Sequence, residues 1–143
     1  MNNGFFRVLS FRVVVEESLD GVHRGRDCSE ATIRVEVRQR GTEKIVMHEI
    51  ADGNGPVHAL DRALRKALVT YFPEIEGVKL VDFEVHTLKE DEGAASQVEV
   101  AITSSDGTNT WETKGVSTDI IKASLSALAE GLRKEIEHMA NSA

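Results

Sequence analysis

The sequence is short of the features that mark most specialised classes of protein. It has a single cysteine, Cys28, so no disulfide can close within the chain, and a reducing compartment, the cytoplasm by default, is expected. Aromatic residues make up only 5% of it, and no lysine or arginine run stands out against a formal net charge of -7. The charge balance argues against a nucleic-acid partner and against an anionic membrane surface, both of which need a basic face. No apolar run approaches the ~18 residues of a membrane span. The opening stretch MNNGFFRVLSFRVVVEE alternates, with Arg7 and Arg12 interrupting it, as a strand does and a signal peptide does not. The five histidines (His23, His48, His58, His86 and His138) form no H-x-H or H-E-x-x-H cluster, and Cys28 has no second thiol. Neither a metal nor another cofactor is expected in this chain. Cys28 lies near Arg26 in a polar loop and reads as a spectator. The many carboxylates fall on wet faces and show no convergence for acid–base catalysis.

What remains is an ordinary balance, 41% hydrophobic and 29% charged over 143 residues, enough for one domain with its own core. The segments 5–18, 31–40 and 43–50 read as strands, the second in strict alternation with Ile33, Val35 and Val37 on one face. Residues 19–29 read as a loop, and Gly41 as the turn of a hairpin. A helix follows, with Val57, Leu60, Leu64, Ala67 or Leu68, and Tyr71 on its apolar side. Pro56 suits its first position and Pro73 lies just past its end.

The order then repeats. KLVDFEVHTL (79–88), SQVEVAITS (96–104) and TWETKGV (110–116) are strands, the last two joined by a hairpin at Asp106-Gly107. Ser117 can cap a final helix whose face is Ile121, Leu125, Leu128, Leu132 and Ile136. Ala59 and Ala123 lie 64 positions apart, as do Leu64 and Leu128. This is an internal repeat. The expectation is an α+β fold of two βββα units, antiparallel sheets with one helix each, related by a pseudo-twofold axis. Unit one covers about 5–72 and unit two about 79–139, within a single domain of 1–143. Their apolar faces exceed what two small units need to cover one another, so a homodimer is expected.

The stretch ADGNGPVHALDRALRK holds the sharpest local signal. Gly53 and Gly55 let backbone amides come close to a ligand at the positive end of a helix dipole, and a side chain there is expected to clash and to restrict φ. No lysine is placed to hold a phosphate, and Asp52 precedes the glycines. A G-x-G-x-x-G fingerprint fails at His58. The amides suit a single carboxylate better than a polyphosphate, with Asp52 or loop carbonyls to receive an ammonium. A plain strand-to-helix turn is the simpler alternative.

ADGNGPVHALDRALRKAL, KLVDFEVHTL and DGTNTWETKGVSTDIIKASLSAL together resemble the C-terminal regulatory domain of the 2-isopropylmalate synthase and citramalate synthase family. FRVVVEES followed by SEATIRVEV resembles the citramalate synthase branch, and the likeness runs from about Phe5 to about Leu132. Asp119, Lys122 and His86 depart from that branch, which often has Asn, Glu and Arg there. The resemblance implies a dimeric, non-catalytic domain that binds the pathway's end-product amino acid for feedback inhibition. Catalysis would belong to an N-terminal metal-dependent TIM barrel joining acetyl-CoA to a 2-oxo acid. Such a barrel needs ~250 residues and cannot lie in this chain. The resemblance further implies an effector site at the dimer interface. Gly53, Asn54, Gly55, Val57 and His58 would face the amino acid's backbone groups. Leu80, Phe83 and Thr87 would line its side-chain pocket, with Ala94 and Ile120 as further walls. Isoleucine is the expected effector, with leucine, for a 2-isopropylmalate synthase, as the alternative. A free-standing amino-acid sensor is a third reading.

Overall fold

The structure, a computed structural model, describes residues 4–16, 28–38, 43–88 and 96–142. In order the elements are β1 (Phe6–Glu16), β2 (Cys28–Arg38), β3 (Lys44–Gly53) and α1 (Pro56–Leu68). After a 3-10 turn at Pro73–Gly77 come β4 (Lys79–Leu88), β5 (Gln97–Ser105), β6 (Thr110–Ser117) and α2 (Ile120–Ser142). The chain divides into two compact units, Met1–Pro73 and Glu74–Ala143. Each unit has one antiparallel three-stranded sheet, ordered β1-β2-β3 or β4-β5-β6, followed by its helix. The two βββα units of an α+β fold, expected from the repeat, are therefore present.

In the first unit, Ala31, Ile33, Val35 and Val37 of β2 are buried while Arg34 and Arg38 are exposed, as alternation requires. Onto that face α1 lays Ala59, Leu60, Ala63, Leu64, Ala67 and Leu68, packing chiefly on β2 and β3. Val57 and Tyr71, expected on the same face, are only half-buried, because Tyr71 lies beyond the helix end and Val57 in its first turn. Phe72 takes the buried place and meets Phe5 edge-on at 6.1 Å.

The second unit repeats the plan. Val100, Ile102 and Ser104 of β5 are buried, and α2 packs on β5 and β6 with Ala123, Ala127 and Leu128 buried. The first strand of each sheet carries a bulge at the same place, between Val8 and Ser10 in β1 and between Leu80 and Asp82 in β4. In both units the helix leaves that first strand largely uncovered. The burial pattern of β4 shows only Phe83 and Leu88 half-buried and every other residue exposed.

Three local expectations are corrected. Cys28 and Ser29 belong to β2, not to a loop, because Cys28 pairs with Glu16 and Ser29 with Gly53, and ladder pairing on both sides outweighs polar composition. For the same reason β3 runs past Ile50 to Gly53. The cap of α2 is Asp119, whose carboxylate accepts from the Ile121 amide at 2.8 Å. The Ser117 hydroxyl instead accepts from the Asp119 amide at 3.1 Å, shaping the approach to the helix. The expected turn at Gly41 falls outside the described residues. The Asp106-Gly107 hairpin is as expected: Gly107 has φ 96°, and the Asp106 carboxylate accepts from the Thr108 and Asn109 amides at 2.8 and 2.7 Å. Those bonds, that from Asn109 foremost, hold the Asp106 carboxyl below its usual range.

A glycine near the end of the last strand sets how closely each helix can sit. A Cβ on Gly53 would lie 2.4 Å from the Ala59 nitrogen, and one on Gly115 would lie 2.1 Å from the Ala123 carbonyl oxygen. Backbone is in the way in both cases. Among the described residues nothing lies within 4 Å of the same position on Gly55, and its φ of -161° is open to any residue. Gly53→Ala and Gly115→Ala should each destabilise the protein by ~1–3 kcal/mol through overpacking, while Gly55→Ala leaves the melting temperature close to wild type. Thermal denaturation of the three variants checks this; equal melting of all three would refute the packing argument.

Candidate functional site

The elbow between β3 and α1 is built from the sheet outward. Gly53 ends β3 in register with Ser29, and its missing Cβ is what lets the first turn of α1 fold back over the strand. Gly55 is the N-cap, and its carbonyl accepts the Ala59 amide at 3.0 Å. Pro56 opens the helix, where a missing N–H is no loss. Glycine offers no side-chain cap here and the first turn carries no acidic residue, so the positive end of the α1 dipole has no side-chain anion of its own. The start of α2 differs: Asp119 already fills that place.

The Asn54 amide is occupied. It donates to Nδ1 of His58 at 2.9 Å, a contact that exists only while Nδ1 carries no proton. The neutral ring then keeps its proton on Nε2, an exposed donor beside the elbow. His58 is thus both a clamp on the turn and a polar group facing outward from it. The Asp52 carbonyl accepts from Arg62 at 2.8 Å and the Ile50 carbonyl from Lys66 at 3.0 Å, so two cations of α1 hold the outer edge of β3. Asp52 alternates with Gly53 along the strand, so its carboxylate stands on the sheet face away from α1.

The second cluster lies on β4. Its bulge puts Leu80, Phe83, Val85 and Thr87 on one face, opposite Ser104, Ile102, Val100 and Val98. Without the extra residue Leu80 and Phe83 would point to opposite sides. This face is the one that α2 covers over β5 and β6 but leaves open over β4, where Leu80 and Val85 remain exposed. Thr87, Val98 and Ser117 form one row across the sheet, and Ile120, exposed, begins α2 just beyond it. The structure therefore groups Gly53, Asn54, Gly55, Val57 and His58 at the elbow of the first unit. It groups Leu80, Phe83 and Thr87 on one strand face of the second. Ala94 lies outside the described residues. Sequence reasoning did not find the His58 clamp, whose only trace is the four-residue spacing from Asn54, nor Gly115, which stands to Ala123 much as Gly53 stands to Ala59.

Comparison with known proteins decides the family. The profile described as the LeuA allosteric (dimerisation) domain matches residues 2–136. The chain belongs to that family. It is 41% identical over 132 residues to an (R)-citramalate synthase of Geobacter sulfurreducens, covering 92% of this chain and 24% of that protein. It is 38% identical over 128 residues to an (R)-citramalate synthase of Aquifex aeolicus, covering 90% and 23%. A 2-isopropylmalate synthase of Salinibacter ruber is 34% identical over 106 residues, covering 74% and 18%. The resemblance read from the sequence, with its lean toward citramalate synthase, is borne out. The chain spans about a quarter of the length of the citramalate synthases it matches. It is an allosteric dimerisation domain of the citramalate synthase type. Among the described residues no helix is long and apolar enough to cross a membrane.

The clamp makes a direct prediction. His58→Ala should free the Asn54 amide, speed its hydrogen exchange and lower stability by ~0.5–1.5 kcal/mol, the net worth of one hydrogen bond. Exchange at Asn54 unchanged in the variant would show that the imidazole does not hold the turn.

Proposed function

We propose that this LeuA-type domain binds isoleucine in a homodimer and thereby inhibits a citramalate synthase-like enzyme. That enzyme's N-terminal barrel would condense acetyl-CoA with a 2-oxo acid. The observation that carries the reading is the elbow: a helix start with no side-chain cap, beside Gly55, where no atom of the described residues occupies the space a side chain would take. An α-carboxylate suits the dipole there and can accept from Nε2 of His58. Remaining carbonyls of the turn are left for the ammonium. By the resemblance, the effector's side chain would be taken by Leu80, Phe83 and Thr87, with Val57, Ala94 and Ile120 as further wall residues. Those side chains are mostly apolar, which would fit a branched aliphatic chain and give a buried charge no partner.

Dimerisation follows the same surfaces. Leu80, Val81 and Val85 of β4 and Leu9, Val14 and Val15 of β1 are exposed. Fully covering one such side chain stabilises by ~1.5–3 kcal/mol, so cover of several would contribute to holding two chains together. A biosynthetic role like that of the citramalate synthase relatives would be served in the cytoplasm. Leucine is the second reading, favoured by the 2-isopropylmalate synthase relative.

Thermal melting of the purified chain with millimolar isoleucine, leucine, valine or glutamate tests the effector. Isoleucine should give the largest rise, leucine and valine less by the ~1–3 kcal/mol that a methylene or branch is worth, and glutamate none. A larger rise with leucine would favour the second reading, and no rise with any would remove the amino-acid effector. Because Gly55 is sterically free in the chain, Gly55→Val should stay folded and lose the isoleucine shift. A folded Gly55→Val protein with the wild-type shift would exclude the elbow. Sedimentation should show a dimer at micromolar concentration, and a monomer with and without isoleucine would exclude the homodimer.

A further inference from the structure

Away from the elbow, the second unit holds a cleft of ≈ 350 Å³ where the β5–β6 turn meets the last turns of α2. Asp106, Trp111, Lys134, Glu135 and His138 are among its lining residues. Its size is in the range of small-molecule sites. Nothing in the proposed effector site uses it.

Glu135 is the unusual group. It is 7% exposed, and its carboxylate makes no hydrogen bond or ion pair with any described residue. Yet its oxygens are not sealed in, since it lines the cleft and is absent from the fully enclosed polar atoms. Its oxygens are therefore solvated from the cleft, where a donor group could take the place of that water. Burial raises its pKa, and Asp106 from the turn and Glu74 from the 3-10 segment push the same way against the weaker opposing pull of His138. The site thus favours a positive charge. Lys134 does not supply it: that side chain is exposed and forms no ion pair among the described residues.

The neighbours complete the chemistry. Trp111 donates its Nε1–H to the Gly131 carbonyl at 2.9 Å, which leaves the ring to offer π surface and hydrocarbon contact only. Asp106 uses Oδ1 for the Thr108 and Asn109 amides, and Oδ2 is left for another donor. Two carboxylates, one of them sheltered and unpartnered, beside an indole face describe a receptor for an ammonium group on a short apolar body. We propose that this cleft binds a small organic ammonium compound, with its charge at Glu135 and Asp106 and its body against Trp111.

Trp111 is the single tryptophan of the chain, so its emission reports on the cleft directly. Titrating the full chain with n-butylammonium chloride at mildly alkaline pH should change that emission saturably. 1-Butanol and butanoate at the same concentrations should not. Glu135→Gln should weaken the response at least tenfold with an unchanged circular dichroism spectrum. Asp106→Asn, which keeps the Oδ1 acceptor of the turn, should weaken it as well and serves if the first variant misfolds. Nα-acetyl-lysine amide carries the same butylammonium on a bulky backbone and should bind worse. No saturable response to n-butylammonium, or an equal response in both variants, would overturn the proposal. Tighter binding of the blocked lysine would overturn it in favour of a lysyl side chain from another protein.

Discussion

The structure depends on how closely each helix lies on the last strand before it. Gly53 against Ala59 and Gly115 against Ala123 are backbone-to-backbone approaches that no Cβ would permit. Each draws the start of a helix over the third strand and tilts its cover toward the second and third strands of the sheet. The first strand is what that geometry leaves bare. A helix is about 10 Å wide and strands are spaced ~4.8 Å apart, so one helix covers two strands well and a third poorly. The exposed apolar faces of β1 and β4 are therefore a product of the packing rule, not an irregularity of composition. A unit built this way is unfinished by design and needs a further surface.

The same pair of glycines separates two roles that look identical in the sequence. Gly-Asn-Gly-Pro invites a single explanation for both glycines, and the structure gives two. Gly53 is a packing residue, fixed by the Ala59 backbone, whereas Gly55 is extended, unhindered and open to whatever approaches the helix end. The simpler reading of the motif as a strand-to-helix turn is right for the first glycine. For the second it leaves only the N-cap role, which serine or aspartate would fill as well, and the ligand reading rests on that second glycine.

The fold was legible because its signals are periodic. Alternation in Ile33, Val35 and Val37, the apolar spacing of Leu60 and Leu64, and the recurrence of both at nearly constant offset carry strand, helix and repeat together. What was not legible depends on pairing and on side-chain reach. Cys28 and Ser29 look like loop residues until the ladder to β1 claims both and the ladder to β3 claims Ser29 as well. Ser117 and Asp119 are both good caps by type, and only the path of the chain decides between them. The bulge that puts Leu80 and Phe83 on one face leaves no mark in composition, so the shared face of Leu80, Phe83 and Thr87 came from resemblance and was explained by register. Glu135 reads as one more solvated helical carboxylate, because burial on the far half of a long helix is a tertiary property.

Arg62 and Lys66 have a role beyond the elbow. By taking the Asp52 and Ile50 carbonyls they occupy the outer rim of β3, one of the two edges of the first sheet. An open rim of carbonyls and amides is a template on which further strands can add without limit. A rim whose carbonyls are taken by side chains is a poorer template for such addition. The two cations thus oppose open-ended addition at this edge, a safeguard that matters for a module with exposed apolar side chains on its strands.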